Sequence, residues 1–308
     1  MRLPLVAAAA AGVQVGAAIV ASRFVIAEVP PLTLALLRYA IALLCLLPFV
    51  FRYFIDAAKV PPALFAPKVI VKDALAIAGL GVGQFALLVA LLNWGLQTVG
   101  AAQAALIFSL FPLLTLLLSA ALGRERITPA LVGGVLLSIV GVALSLAPKL
   151  GAGAAAHSWR GELAVLASAG VGAVCSVMYR PYLRRYPTLP VSAGAMLASV
   201  LCLALLALPE HWPTRIATLG AATWSVVAFI GLSSGAGYVA WLYALKHESP
   251  TRVTVFLALN PVTAALLGTL FLHEALDDWT LSAIACIGAG LWLATRRAPA
   301  PRQGSRRT

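Results

Sequence analysis

Charged residues are scarce in this 308-residue chain. They make up 10% of the sequence, and hydrophobic residues make up 62%, whereas soluble globular chains carry about 25% charged and about 45–50% apolar residues. A water-soluble protein of this size needs charge to cover its surface. The composition therefore argues against a soluble enzyme, a nucleic-acid-binding domain and a disordered chain, and it predicts a protein that uses lipid as its solvent.

Acidic residues are the rarest charged type, with only 10 in the chain, and none lies deep in an apolar run. A buried carboxylate proton relay is therefore not expected. The four cysteines, Cys45, Cys175, Cys202 and Cys286, lie inside apolar runs without zinc-ligand spacing, so we expect neither disulfides nor a metal site. No phosphate-binding glycine loop occurs, and we expect no cofactor and no ATP-driven pump.

Long apolar runs fill most of the sequence. Each approaches the roughly 20 residues that a membrane-spanning helix needs, and proline, glycine and charge clusters separate the runs. We predict an all-α integral membrane protein with ten transmembrane helices, arranged as two inverted five-helix repeats. The predicted spans are 4–22, 32–51, 73–94, 101–122, 129–147, 161–179, 190–208, 220–243, 252–271 and 279–295.

The basic residues indicate how these spans are oriented. Of 22 Lys and Arg residues, 17 fall in loops and tails on one side of the ten spans and four on the other, and the formal net charge is +12. Cytoplasmic loops are enriched in Lys and Arg. We therefore predict a multi-pass protein of a bacterial-type inner membrane, with both termini in the cytoplasm. The expected partners are a small-molecule substrate and membrane lipids, not nucleic acid, and the sequence specifies no oligomeric state.

The two halves of the chain repeat one pattern. A shift of 149 residues places Pro112 on Pro261 and Glu125 on Glu274. Because each half holds five spans, the second copy enters the membrane from the opposite side, which is the recurring plan of secondary transporters. A duplicated bundle without a transport role is the alternative. The predicted units are a first repeat at 1–150, an inverted second repeat at 151–297 and a basic cytoplasmic tail at 298–308.

Short motifs recur in order within both halves. Residues 93–97 (NWGLQ), 101–112 and 123–128 are repeated by 240–261 and 273–274. This pattern resembles the EamA repeat of the drug/metabolite transporter superfamily and covers essentially the whole chain as two copies. The resemblance implies a ten-helix inner-membrane carrier that moves small metabolites, often outward. Relatives of this kind export amino acids, aromatic ones among them, or cationic drugs and toxicants.

Prolines in spans four and nine predict breaks in those helices. Pro112 and Pro261 lie near the middle of their spans, where a proline removes one backbone hydrogen bond. The carbonyls of Phe108 and Leu257 are then expected to face protein or a wet cavity, because lipid cannot satisfy them. Paired breaks at corresponding positions are typical of a substrate site. A passive kink is the alternative, and the amide of Asn260 favours the site.

One stripe of span eight is polar and aromatic. Ser234, Tyr238 and Trp241 share one helix face, whereas their counterparts in the first half are apolar. Contact with an asymmetric substrate would produce this difference, and aromatic anchoring at the membrane edge is the alternative. In span one, Gln14 stands near the position where EamA repeats commonly carry tryptophan. The predicted substrate-binding residues are Gln14, Gln84, Asn93, Phe108, Phe111, Pro112, Tyr238, Trp241, Asn260 and Pro261.

Three charged residues are predicted to act in gating. Arg38 lies within span two near its outer end, where it either snorkels to the membrane surface or has an outer-gate or carboxylate-binding role. Glu125 and Glu274 close spans four and nine, where structural capping is the alternative.

Glycine spacing adds two interpretations. Pairs four residues apart predict close helix packing; they are Gly12/Gly16, Gly79/Gly83 and Gly231/Gly235. Residues 231–235 also fit the G-x-S-x-G motif of serine hydrolases, and an intramembrane hydrolase using Ser233 is the alternative of another class. That motif needs a strand-to-helix turn, whereas this run is apolar and helical. We predict a secondary transporter, an exporter or facilitator, rather than an enzyme.

Overall fold

In the computed structural model, helix is the only regular secondary structure of the residues that the structure describes. This confirms the all-helical prediction. Glu125 and Glu274 lie outside the described residues, so their gating role stays a prediction. The described residues are 3–55, 67–123, 128–151, 159–248, 250–273 and 277–295.

Each predicted span coincides with one helix or with consecutive helical segments. Spans three, four and nine are divided into segments, whereas the others are single helices. In chain order the α-helices of the described residues are α1 (Leu3–Val25), α2 (Pro31–Ile55), α3 (Pro67–Gly81), α4 (Leu88–Gly95), α5 (Ala101–Phe108), α6 (Phe111–Ala121), α7 (Pro129–Gly151), α8 (Arg160–Arg185), α9 (Thr188–Leu206), α10 (Trp212–Thr218), α11 (Ala221–His247), α12 (Pro250–Thr254), α13 (Leu259–Leu272) and α14 (Asp278–Thr295).

Within the described residues, eight helical stretches are long and apolar enough to cross a membrane when consecutive segments are counted together. The fifth and tenth predicted spans contain shorter apolar stretches, Val132–Leu144 and Asp278–Leu293. The number of ten transmembrane helices therefore stays a prediction. Large apolar side chains such as Leu44, Phe49 and Leu270 are more than half exposed, as expected of surfaces that face lipid.

Helices from the two halves of the chain pack against each other. Helix α1 contacts α11 and α13, α2 contacts α9 and α11, and α4 contacts α8, while α7 and α14 pair with each other. The largest buried apolar cluster includes Phe85, Phe111 and Tyr238. The core thus lies between the halves, and the cavity described below is inside it.

Two helices begin within one residue of the starts of their predicted spans. Helix α7 begins at Pro129, a position where no backbone N–H is needed, and α14 begins at Asp278. The carboxylate Oδ1 of Asp277 accepts a hydrogen bond from the backbone N–H of Thr280 at 2.9 Å, which is an N-cap contact. The hydrogen bonds from Thr280 hold the pKa of Asp277 below its ordinary value.

The glycine pairs pack helices closely in two of the three predicted places. Gly16 lies against the backbone of Asn260 in α13, and Gly231 lies against Ile41 in α2. Of the third pair only Gly83 is closely packed: a β-carbon there would lie 2.9 Å from Sγ of Cys175 in α8, whereas Gly79 contacts nothing within 4 Å of where a β-carbon would be. Gly81, two residues further along, approaches Ala195 of α9 instead.

Candidate functional site

A cavity lies between the two halves of the chain, in the middle of the helical bundle. Its volume is about 80 Å³, well above the roughly 10–15 Å³ that one water requires. Apolar and aromatic side chains form most of its wall, together with a few polar ones. The lining residues are Ala11, Gln14, Val15, Arg38, Tyr39, Gln84, Phe85, Leu88, Val89, Leu92, Phe108, Phe111, Gly237, Tyr238, Trp241 and Leu257.

Arg38 supplies the charge in this wall. It is the eighth residue of α2, about 10 Å along the helix from its start at 1.5 Å per residue. Its side chain is only 6% exposed, and its Nε donates a hydrogen bond to Oγ of Ser234 at 2.7 Å. The suggestion that Arg38 snorkels to the surface is therefore wrong. Within the described part of the chain, no carboxylate lies within ion-pair distance of it.

Close packing of α2 on α11 brings Ser234 to Arg38. A β-carbon at Gly231 would lie 2.6 Å from Cβ of Ile41, and one at Gly235 would lie 3.3 Å from Cα of Ala42. Only glycine permits an approach this close at Gly231, because real β-carbons do not come within 3.0 Å of other atoms. The glycine pair thus sets the distance at which the hydroxyl between them meets the guanidinium.

Gln14 of α1 completes the polar part of the cavity. Its Nε2 lies 3.4 Å from the hydroxyls of both Ser233 and Ser234, a distance at the long end for a hydrogen bond. The side chain is pressed against Gly237, where a β-carbon would lie 2.5 Å from Oε1. Three helices, α1, α2 and α11, therefore contribute to one polar patch.

Aromatic rings form another part of the wall, which adjoins Arg38 at Tyr39. Phe85 lies between two tyrosines, with ring centroids 4.6 Å from Tyr39 and 4.1 Å from Tyr238. Phe111 is 6.1 Å from Trp241 by the same measure. Edge-to-face and tilted pairs at these distances are favourable, and they leave a wall suited to an apolar or aromatic ligand.

A π-helical turn, Val82–Leu87, separates α3 from α4 and carries Gln84 and Phe85 into the cavity. Such turns are frequent at functional sites. Oε1 of Gln84 is buried and has no hydrogen-bond partner within the described residues, whereas the buried hydroxyls of Tyr179 and Tyr238 face each other. Buried polar atoms normally have partners, so the amide oxygen of Gln84 is the acceptor in the wall that a ligand can use.

Comparison with known proteins identifies the family. The profile of the EamA-like transporter family matches residues 2–147 and 159–296. The chain belongs to the EamA-like transporter family. It is therefore a multi-pass membrane protein of a transporter family, as its sequence motifs and its apolar helices also indicate.

Three relatives of this EamA-like transporter carry transporter names. An uncharacterized transporter of Archaeoglobus fulgidus is 26% identical over 92% of this chain and 95% of the relative. A probable terminal-alkyne amino-acid exporter of Streptantibioticus cattleyicolor is 34% identical over 67% of this chain and 68% of its own length. The aromatic amino acid exporter YddG of Ancylobacter novellus is 32% identical over 63% of this chain and 67% of its own.

A protein whose crystal structure has been solved has the same fold as this chain. Its TM-score to the EamA-like transporter is 0.64 at 24% sequence identity, over 94% of this chain and 95% of the other.

Seven of the predicted functional residues of this EamA-like transporter line the cavity. They come from α1, α2, the π-helical turn, α5, α6 and α11, so residues far apart in the sequence meet at one place. Their binding and gating roles stay predictions. The seven are Gln14, Arg38, Gln84, Phe108, Phe111, Tyr238 and Trp241.

The helix breaks lie just before the predicted prolines. Helix α5 ends at Phe108 and α6 begins at Phe111, so Pro112 occupies the first turn of a new helix, where its missing N–H is not needed. In span nine a 3-10 turn, Val255–Ala258, precedes α13 and Pro261. Pro112 and Pro261 are outside the cavity wall, whereas Phe108 and Leu257 are part of it.

Two predicted asparagines are also outside the wall. Asn93 is fully buried, and its Nδ2 donates a hydrogen bond to the carbonyl of Pro31 at 3.1 Å, which ties α4 to the start of α2. Asn260 is fully buried, and neither its amide nitrogen nor its amide oxygen has a partner within the described residues. Neither Asn93 nor Asn260 lines the cavity.

Sequence reasoning missed several residues of the site. Tyr39 and Phe85 were counted only as part of apolar spans, although each directly follows a predicted polar residue of the site, Arg38 or Gln84. Their positions in the wall depend on the rotation of α2 and on the π-helical turn. A polar residue next to an aromatic one inside a span was the signal available for both.

Polar contacts join the halves at both ends of the bundle. The carboxylate of Glu210 accepts hydrogen bonds from the backbone N–H of Leu32 and Thr33, at 3.1 and 2.6 Å, and so caps α2. At the other end the carboxylate of Asp73 accepts from Arg185 at 2.6 Å and from the Tyr186 hydroxyl at 2.7 Å. These contacts tie the first half of the chain to the second at each end of the bundle.

Ser233 does not occupy a hydrolase-type turn. It lies inside the uninterrupted helix α11, and its hydroxyl donates to the carbonyl of Ile230 at 3.2 Å. The motif requires a sharp strand-to-helix turn that exposes the serine. The local structure therefore gives residues 231–235 a packing role.

Proposed function

We propose that this protein is a secondary transporter, an exporter or facilitator, that moves small metabolites through the central cavity by alternating access. Amino acids, including aromatic ones, are the proposed substrates. The observation that supports this most is the cavity itself, where one buried arginine and a wall of aromatic rings come together between the two halves. The names of two relatives, which specify amino-acid exporters, point to the same substrates.

An inverted repeat of two five-helix units is part of the proposal. Two observations support it: the family profile matches two stretches of similar length, and the packing of helices is preserved when the halves are exchanged. Span one packs on spans eight and nine, as α1 on α11 and α13, and span six packs on spans three and four, as α8 on α4 and α6. Two similar packings of opposite sense could open one cavity alternately to each side.

We further propose an inner-membrane location with both termini in the cytoplasm. The basis is the 17 to four distribution of Lys and Arg across the predicted loops and tails. In this orientation the contacts of Glu210 lie at the outer end of the bundle, and the contacts of Asp73 lie at the cytoplasmic end.

Cationic drugs or toxicants are the alternative substrates. Arg38 disfavours them, because a buried positive charge without an ion-pair partner repels a second cation in the same narrow cavity. The carboxylate of an amino acid can pair with Arg38, and an apolar or aromatic amino-acid side chain can pack against the aromatic wall.

Transport in proteoliposomes tests this proposal. Purified protein should exchange labelled phenylalanine against unlabelled phenylalanine, and Trp241→Leu should slow the exchange. Trp292→Leu is the matched control, since Trp292 is 58% exposed on the outside of the bundle and should leave the exchange unchanged. No flux of any compound in a broad panel of amino acids and organic cations would contradict the transport function.

A further inference from the structure

Arg38 brings into the cavity wall a positive charge that has no ion-pair partner within the described residues, and its guanidinium carbon lies 5.6 Å from the ring centroid of Tyr39. Its side chain is more than nine-tenths buried and lines the cavity, and one of its five N–H groups is used by Ser234. The four N–H groups of its terminal nitrogens have no protein acceptor within the described residues. A buried charge without an ion-pair partner is costly, and the cation–π contact with Tyr39 offsets only part of that cost, so this part of the cavity favours a bound anion.

We propose that Arg38 binds the carboxylate of the substrate and that Ser234 and Gln14 position the guanidinium for it. This inference rests on the transport function proposed above and narrows its substrate class. The planar guanidinium presents paired N–H groups that match the two oxygens of a carboxylate. The ligand class is therefore monocarboxylates with an apolar or aromatic body.

Ser234 and Gln14 fix the direction of the guanidinium. The bond from Nε to Ser234 leaves the terminal nitrogens as the part of the fork that is open to a ligand. Gln14 reaches the same hydroxyl from α1, and it cannot move toward α11 because it already touches Gly237. Three helices thus hold the fork in place before a ligand arrives, which reduces the entropy lost on binding.

The remaining wall suits the rest of such a molecule. Phe108, Phe111 and Trp241 offer apolar and aromatic surface. Oε1 of Gln84 is an unpaired acceptor that an amino group can use. This acceptor is neutral, whereas the carboxylate meets the opposite charge of Arg38, and a bidentate pair of opposite charges is the stronger contact. The carboxylate is therefore the group that is required, and the amino group adds to affinity without being essential.

Three ligands of nearly equal size separate the contribution of the carboxylate to binding from that of the amino group. Phenylalanine carries both groups, 3-phenylpropionate lacks the amino group, and phenethylamine lacks the carboxylate. In calorimetric titrations of the purified full-length protein we expect 3-phenylpropionate to bind within ~10-fold of phenylalanine, and phenethylamine to bind at least ~30-fold more weakly. Equal affinity for phenethylamine and phenylalanine would overturn the assignment.

Variants assign the effect to Arg38. Arg38→Gln should weaken phenylalanine and 3-phenylpropionate by at least ~10-fold and should leave phenethylamine unchanged or bound more tightly. Ser234→Ala, which keeps the charge and frees the fork, should cost less than Arg38→Gln does. Arg215→Gln removes an exposed arginine of α10 and should change none of the three affinities.

The outcomes distinguish the inference from the transport function. Phenylalanine exchange whose KM is unchanged in Arg38→Gln would overturn the inference and leave the transport function standing. Carboxylate binding that depends on Arg38, without flux in proteoliposomes, would support the inference and contradict transport. If Arg38→Gln does not purify as a folded protein, the ligand series on the wild type and the affinities of Ser234→Ala decide.

Discussion

Spans three and eight occupy corresponding places in the two halves but differ in chemistry. At a shift of 149 residues Val89 corresponds to Tyr238 and Leu92 to Trp241, and all four line the cavity. The first half presents aliphatic side chains where the second presents aromatic ones. Because all four corresponding positions line the cavity, the arrangement of the helices determines where the wall lies. The type of side chain at these positions, aliphatic or aromatic, determines which ligands the wall can bind.

The backbones of these two spans differ as well. Helix α11 runs without interruption from Ala221 to His247, whereas span three is divided by the π-helical turn Val82–Leu87. The turn places Gln84 and Phe85 in the wall. In span three a π-helical turn places side chains in the cavity wall. In span eight a regular α-helix does so with the large side chains of Tyr238 and Trp241.

The largest effect on transport is expected from replacing the two aromatic residues of span eight with the aliphatic residues of span three. Tyr238→Val combined with Trp241→Leu gives span eight the residues of span three. Both side chains are at least 92% buried in the cavity wall, and truncating buried aromatic anchors typically costs ~2 kcal/mol or more in binding, which is ~30-fold in affinity. The KM for phenylalanine exchange should rise by at least that factor.

The exposed pair Leu232 and Trp292 provides the control for that double variant. Conservative substitutions there, such as Leu232→Val with Trp292→Leu, change side chains that are 52% and 58% exposed. They should leave the KM within about twofold. A double variant Tyr238→Val, Trp241→Leu that folds and transports phenylalanine with an unchanged KM would show that the aromatic half of the wall is not a substrate contact.

An intermediate effect is expected from the glycines of the same two spans. Gly231→Ala places a β-carbon 2.6 Å from Cβ of Ile41, and overpacking of this kind typically costs ~1–3 kcal/mol. Gly79→Ala meets nothing within 4 Å, and alanine favours helix over glycine by up to ~1 kcal/mol. Unfolding in detergent should show Gly231→Ala destabilised and Gly79→Ala unchanged or stabilised. The reverse order would contradict the packing of α2 on α11.

The smallest effect is expected at the starts of spans five and ten. Helix α7 begins with a proline, whereas α14 has a side-chain cap from Asp277. Removing an N-cap typically costs ~1 kcal/mol, so Asp277→Ala should lower the free energy of unfolding by about that amount. Asp277→Asn retains an acceptor and should lower it less.

The same cap predicts a dependence on pH. The pKa of Asp277 is lower in the folded chain than its ordinary value, because it accepts hydrogen bonds from Thr280. Its contribution is therefore present above the ordinary pKa of about 3.9, and it is lost as the pH falls through the lowered value. Melting temperatures measured from neutral to acidic pH should fall less steeply for Asp277→Asn than for the wild type. Identical slopes would contradict this assignment.

Features with a local cause could be predicted from the sequence. Apolar runs between charge clusters located the helices, and prolines located the breaks before Pro112 and Pro261, because a missing N–H acts within one turn. The spacing of Gly231 and Gly235 predicted that α11 packs closely on a neighbouring helix, which is α2. Tyr238 and Trp241, predicted as part of the polar and aromatic stripe of the same span, line the cavity. In each case a few neighbouring residues were sufficient.

Features that depend on distant contacts could not. The cap that Glu210 places on α2 and the bond from Arg38 to Ser234 each join elements far apart in the chain, as between residues 38 and 234. The π-helical turn Val82–Leu87 joins consecutive helices, but it contains no proline or charge that would mark it. For Arg38 the sequence leaves open both snorkelling and a gating or carboxylate-binding role, because it gives the depth along α2 but not the direction of the side chain. Direction depends on helix rotation, which the packing of α2 on α11 determines.

Access to the cavity from the two sides of the membrane tests the central claim most directly. In a variant whose four native cysteines are replaced by alanine, Phe108→Cys places one thiol in the cavity wall. Its reaction with a membrane-impermeant thiol reagent is measured in right-side-out and in inverted vesicles, with and without phenylalanine. Alternating access predicts that the thiol reacts from both sides and that phenylalanine slows both reactions. A thiol that reacts from one side only, or from neither, under all conditions would contradict a cavity that opens in turn to each face.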